Sequence, residues 1–105
     1  MIQVNSNKKH IIYKLENRVT GEIYVGLTVA KYGKNYLKCI KGRFNRHVCR
    51  ARGEAKNWAL CRSIRQYGRE AFTLSLLDVI KTKQVGHQLE LAYINTLNPE
   101  LNSTK

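Results

Sequence analysis

Residues 11–16 alternate with period two, Ile11, Tyr13 and Leu15 on one side and Ile12, Lys14 and Glu16 on the other. Asn17 to Gly21 supply turn residues, and 22–25 runs back as a second strand. Facing residues of an antiparallel hairpin have a constant index sum. A sum near 37 sets Tyr13 close to Tyr24, with both phenols on one face. A basic loop, 27–42, leads into a helix near Leu37, where Ile40, Phe44, His47 or Val48, and Ala51 recur at helical spacing until about Gly53. Asn57 is the expected cap of a second helix, whose Trp58, Cys61, Ile64 and Tyr67 form an apolar stripe closed by Gly68. Residues 72–80 are apolar enough for a central strand. The spacing of Val85, Leu89, Ala92 and Tyr93 predicts a helix over 83–97 with these residues inward, stopped by Pro99. The order β-β-α-α-β-α gives a small α+β domain over 11–105, a three-stranded antiparallel sheet flanked by helices, preceded by a flexible polar arm at 1–10.

Charge changes this picture from a fold to a partner. Nineteen Lys and Arg against seven Asp and Glu leave +12 on 105 residues. That is the footprint of a polyanion binder, most often of nucleic acid. The charges are spread along the chain, so no basic amphipathic helix stands alone for a membrane surface. No apolar run approaches the roughly 20 residues of a membrane span, and the first ten residues lack the apolar core of a signal peptide. The expected location is therefore cytoplasmic, in the nucleoid or the cytoplasm of a host cell. Cys39, Cys49 and Cys61 lack Cys-x-x-Cys spacing, and His10, His47 and His87 complete no zinc pattern. Reduced thiols are expected.

Most hydrolytic chemistries lack their residues. Asp78 is the only aspartate, so sites built on paired carboxylates or two metals have little to draw on. There is no nucleophile elbow and no phosphate-cradling glycine loop. What remains is tyrosine, arginine, histidine and one helical glutamate. Glu90 borders the face of Tyr93, Ile94 and Leu97, where a carboxylate is costly unless it is paired or binds metal; the plainer reading is a surface Glu at the edge of the stripe. Arg43 and His47 lie one helical turn apart. They suit a phosphate grip with a proton carrier beside it, but with Arg46, Arg50 and Arg52 nearby they also suit an exposed basic face.

The motifs, taken together, resemble the GIY-YIG nuclease family. "IIY" at 11–13 and "YVG" at 24–26 are similar to its paired motif. "RFNRH" at 43–47 is similar to its helical Arg with a His one turn on, and "ELAYINTLNPELN" at 90–102 to its Glu and following Asn. Five elements in register cover most of the chain and look most like the catalytic domain of phage homing endonucleases. Two positions depart from the pattern: Ile11 stands at the first motif glycine, and the stretch between Gly26 and Arg43 is longer than in compact members.

The resemblance implies a GIY-YIG-like fold and a metal-dependent DNA endonuclease from a phage or mobile element. It gives Tyr13 as general base, Tyr24 as orienting group, Arg43 as phosphate clamp, His47 as alternative base or phosphate ligand, Glu90 as metal ligand and Asn102 as brace. Neighbouring cations are expected to lower the Tyr13 pKa. The implied cofactor is Mg²⁺, replaceable by Mn²⁺, with no small-molecule cofactor. The implied partner is DNA, bound by a monomer or transient dimer and contacted by Lys31, Lys34, Lys38, Lys41, Arg46 and Arg50. The alternatives are a non-catalytic basic nucleic-acid-binding module, or an inhibitory or structural partner protein acting through an apolar patch.

Overall fold

The computed structural model of the protein describes residues 9–30, 35–54 and 58–102. The expected cap Asn57, the lysines Lys31 and Lys34, and residues 1–8 of the arm lie outside them. Strand β1, His10–Asn17, is followed by β2, Ile23–Val29. Asn17 builds the turn between them. Its Oδ1 accepts from Val19 N at 2.9 Å and Thr20 N at 3.3 Å, and its Nδ2 donates to Ser63 Oγ at 2.8 Å. Gly21, at φ 81°, takes the left-handed position that a side chain would resist.

The hairpin register differs from expectation by two residues. Tyr13 faces Gly26 and Leu15 faces Tyr24, an index sum of 39. Because side chains alternate with period two, a slip of two keeps both phenols on one face and makes them diagonal neighbours. Gly26 is what this register requires. A Cβ there would lie 2.5 Å from the Cζ and hydroxyl of Tyr13, whose ring crosses the bare backbone.

Strand β3, Phe72–Ile80, pairs with the other side of β1, so the sheet order is β2-β1-β3. The apolar third strand is thus an edge, and the half-polar first strand is central. Apolar content did not mark the covered strand: β1 is mostly buried, whereas β3 is only partly buried, with Leu76 45% exposed. A bulge on β3 at Leu77 shifts its register between Ile12 and Tyr13.

Helix α1, Tyr36–Cys49, is capped by Asn35, whose Oδ1 accepts from Lys38 N at 3.2 Å. It continues into a π-helical turn at Arg50–Glu54. Helix α2, Ala59–Tyr67, ends at Gly68 with φ 83°. Ile40, Phe44, Val48 and Ala51, joined by Leu60, Cys61 and Ile64 of α2, cover Ile11, Tyr13 and Leu15 in one core. Cys39 and Cys61 are buried free thiols and Cys49 is exposed.

Helix α3, Lys83–Leu97, covers the opposite face of the sheet. Gly86 makes the close approach, since a Cβ there would stand 3.2 Å from both Ile80 and Leu27. This packing rotates the inward stripe from the expected one. Gly86 is buried and Leu89 and Tyr93 are half-buried, whereas Val85 is 43% exposed and Ala92 lies outward. After α3, Asn98 turns left-handed and a 3₁₀ turn, Glu100–Asn102, returns to β2. Among the described residues no helix is long and apolar enough to cross a membrane.

Candidate active site

The hairpin and α1 form the buried half of the site. Tyr13 is fully buried, and its hydroxyl meets His47 Nε2 at 3.1 Å, a hydrogen bond across 34 residues. The Tyr24 ring stands 6.2 Å from that of Tyr13 and edge-on to His47 at 5.2 Å. His47 is 4% exposed. Its burial, then Arg43 and Arg50, bring its pKa down to about 4, so the imidazole is neutral at pH 7. Burial, followed by Tyr24, raises the Tyr13 phenol well above the ordinary value, and Arg43 offsets only part of this. Tyr24 is likewise raised by burial, with Arg43 opposing. The expected lowering of the Tyr13 pKa is thus reversed in the free protein: desolvating a phenolate costs more than one nearby guanidinium returns.

Helix α3 supplies the open half. Glu90, with its side chain 22% exposed, lines a cavity of about 310 Å³ together with Tyr24, Arg43, His10, Lys83 and His87. Its carboxylate lies 3.6 Å from His87 Nδ1, and burial raises its pKa while His87 opposes. Arg43 Nε and His10 Nδ1 are buried without a hydrogen-bond partner, and both residues line this cavity. An unpaired buried guanidinium N–H is costly until an acceptor arrives, and a phosphate oxygen is the strong acceptor for it.

Asn102 clamps the free edge of β2. Its Oδ1 accepts from Val25 N and its Nδ2 donates to Val25 O, each at 2.8 Å, as a neighbouring strand would do. The clamp falls between Tyr24 and Gly26, the two hairpin positions that shape the site. Of the cations expected to meet DNA, Arg50 is beside Tyr24 and His47, and Arg46 lies on the same side of α1 as Arg43. Lys41 lies about 160° around the helix from Arg43 at 3.6 residues per turn. His10, Lys83 and His87 were not singled out from the sequence. Only the three-residue spacing of His87 before Glu90 hints at them.

Among the described residues no group of three His, Cys, Asp or Glu side chains converges as a metal cage. A lone half-buried carboxylate instead fits a hard divalent ion that keeps several waters and shares phosphate oxygens with its substrate.

No curated protein sequence matches the chain significantly. The fold is similar to a solved structure of the catalytic domain of intron endonuclease I-TevI in a glutamate-to-alanine mutant. That match has 25% identity and a TM-score of 0.68 over 92% of each chain. A second structure, of the catalytic domain of homing endonuclease I-TevI, matches with 25% identity and a TM-score of 0.64 over 90% of this chain and 95% of that one. A model of the GIY-YIG catalytic domain matches residues 9–104, so the protein belongs to the GIY-YIG family of nucleases.

Proposed function

We propose that the protein is a metal-dependent DNA endonuclease in which Arg43 grips the scissile phosphate, Glu90 holds one divalent ion, and Tyr13 with His47 carries the proton of the attacking water. The observation that carries this reading is the meeting of a buried phenol–imidazole pair with an acceptor-less guanidinium nitrogen beside Glu90. A binding module has no use for a proton relay under its phosphate grip. Nucleases of this family generally depend on a divalent metal. Mg²⁺, with Mn²⁺ as substitute, suits the single hard oxygen donor. When bound, the ion stabilises charge on the phosphate and on the leaving 3′-oxygen.

The chain's own residues do the rest. Arg43 faces the charge that builds on the pentacoordinate phosphorus. A standing Tyr13 phenolate is disfavoured by burial, so the phenol works as a relay. Its oxygen takes the proton of the attacking water as its own proton passes to His47 Nε2. The bond from phosphorus to the 3′-oxygen then breaks, leaving a 5′-phosphate, and the 3′-oxygen takes a proton from solvent. A phosphate near Arg43 and Arg50 offsets two of the three causes that depress His47, so substrate raises the basicity of the acceptor when it is needed. Tyr24 orients the water or the phosphate, and Asn102 holds the strand that carries Tyr24.

Supercoiled plasmid incubated with and without Mg²⁺ tests the reading. Nicked or linear product that disappears on chelation is expected. Plasmid left intact with Mg²⁺ and with Mn²⁺, while binding persists, would return the protein to a basic nucleic-acid-binding module.

A further inference from the structure

Tyr24 and Arg43 are shared by two cavities. One contains Glu90. The other, of about 210 Å³, is walled by Trp58, Leu60 and Leu101, with Arg50 and His47 at its polar side. Trp58, Leu60 and Leu101, which only this second cavity presents, have no part in the proposed bond cleavage. We propose that it is the subsite for a nucleobase next to the scissile phosphate, with Trp58 as the surface on which that base stacks. The inference rests on the nuclease reading and adds to it the seat of one nucleoside.

Size and chemistry both point to a base. The volume falls below the roughly 300 Å³ at which sites for drug-sized ligands begin, leaving room for about one planar ring system. Leu60 and Leu101 are buried and apolar, which a phosphate would avoid and a ring face accepts. An indole beside apolar walls is the platform that single-stranded nucleic-acid binders use, because every base has a π-face. Trp58 begins α2 and packs against the main core, so its position is set before DNA arrives. Arg43 links the two cavities: a phosphate held there has Glu90 on one side and the apolar walls on the other. Arg50 then stands where it can pair with the next phosphate of the strand. A base seated here must leave its stack, so the subsite favours DNA that is unpaired or distorted at the cut.

Trp58 is the only tryptophan in the chain, which makes its emission a direct reporter of this cavity. Wild-type protein is titrated, without divalent metal, with labelled DNA spanning the cut, following anisotropy and tryptophan emission together. Emission should change on binding, and the change should vanish when one of the two nucleotides flanking the cleaved bond is made abasic. In cleavage assays the same abasic position should raise KM about 10-fold for the wild type, the scale of one missing stack. Trp58→Ala should raise KM similarly on intact DNA and be indifferent to the abasic position. Trp58→Phe keeps the ring packing and should retain most affinity, which separates stacking from folding. Unchanged emission on DNA that anisotropy shows to be bound overturns the inference, as do independent losses from Trp58→Ala and the abasic site. Either result leaves cleavage, and so the nuclease reading, standing. Absence of both binding and cleavage removes that reading first and this one with it.

Discussion

The two halves of the site are built on different principles. Tyr13 and His47, on the hairpin and α1, are buried, hydrogen-bonded to each other and shifted in pKa by desolvation. Glu90 and His87, on α3, face an open cavity, and the His87 side chain is 57% exposed. The buried half is already hydrogen-bonded before substrate arrives, as the proposed proton relay would require. The open half is incomplete by the nature of its chemistry. One carboxylate and an acceptor-less Arg43 Nε would, on the proposed reading, gain their partners from the ion and the phosphate. On the proposed reading, the groups that move protons are already paired with each other, and the groups that handle charge take their partners from the substrate.

Breaking each half in turn should give different losses. Glu90→Ala should abolish cleavage yet leave DNA affinity largely intact, since it removes the proposed metal ligand and a negative charge from a basic surface. Tyr13→Phe should also lose nearly all activity, but with unchanged metal dependence of what remains. Its single-turnover pH profile sharpens the contrast. A relay to His47 predicts a rate that rises from acid pH and is flat well before the phenol range, whereas a rate still climbing at about pH 9 means a standing phenolate. Active Tyr13→Phe enzyme would make the phenol architectural.

Arg43 stands between the halves, and Arg43→Ala should cost at least ~10²-fold in the single-turnover rate, the scale of losing one preorganised charge donor. Weaker affinity with unchanged turnover would instead make Arg43 part of a solvated basic face.

The buried half should also be visible without DNA. His47 has a folded pKa of about 4, below its ordinary 6.5, so between these values the unfolded chain binds more protons than the folded one. Stability is therefore full above about pH 6.5 and is lost as pH falls toward 4. The loss is of the order of 3 kcal/mol at ~1.4 kcal/mol per pKa unit. Denaturant melts across this range check it, with His47→Gln expected to flatten the slope.

The smallest effects should come from the rim. Neutralising Arg46 and Arg50, on the site side of α1, should reduce the salt dependence of DNA binding by about 0.9 in log–log slope for each phosphate that is no longer paired with a cation. Neutralising Lys38 and Lys41, turned elsewhere on the helix, should change it little. Equal slopes for the two pairs would mean that DNA wraps more of α1 than the site side.

The elements, and the candidate residues that the structure gathers around two cavities, were largely legible in the chain. Period-two and helical spacing are local properties, and they located three strands and three helices; it was the resemblance of the motifs to the family that united Tyr13, Tyr24, Arg43, His47 and Glu90. Even the wrong hairpin sum preserved the shared face, because a slip of two residues does not change it. The tertiary structure decided the rest. Strand order was hidden because apolar composition does not record which strands pair: β3 is apolar yet only partly buried at the edge of the sheet, whereas the half-polar β1 is the buried central strand. The inward stripe of α3 was hidden because Gly86, with no apolar signal of its own, makes the closest approach. The resemblance pointed to Asn102, but its strand-like clamp on Val25 depends on β2 being an edge. The direction of the Tyr13 pKa depended on burial set by helices distant in sequence, and no tally of neighbouring cations along the chain contains that desolvation.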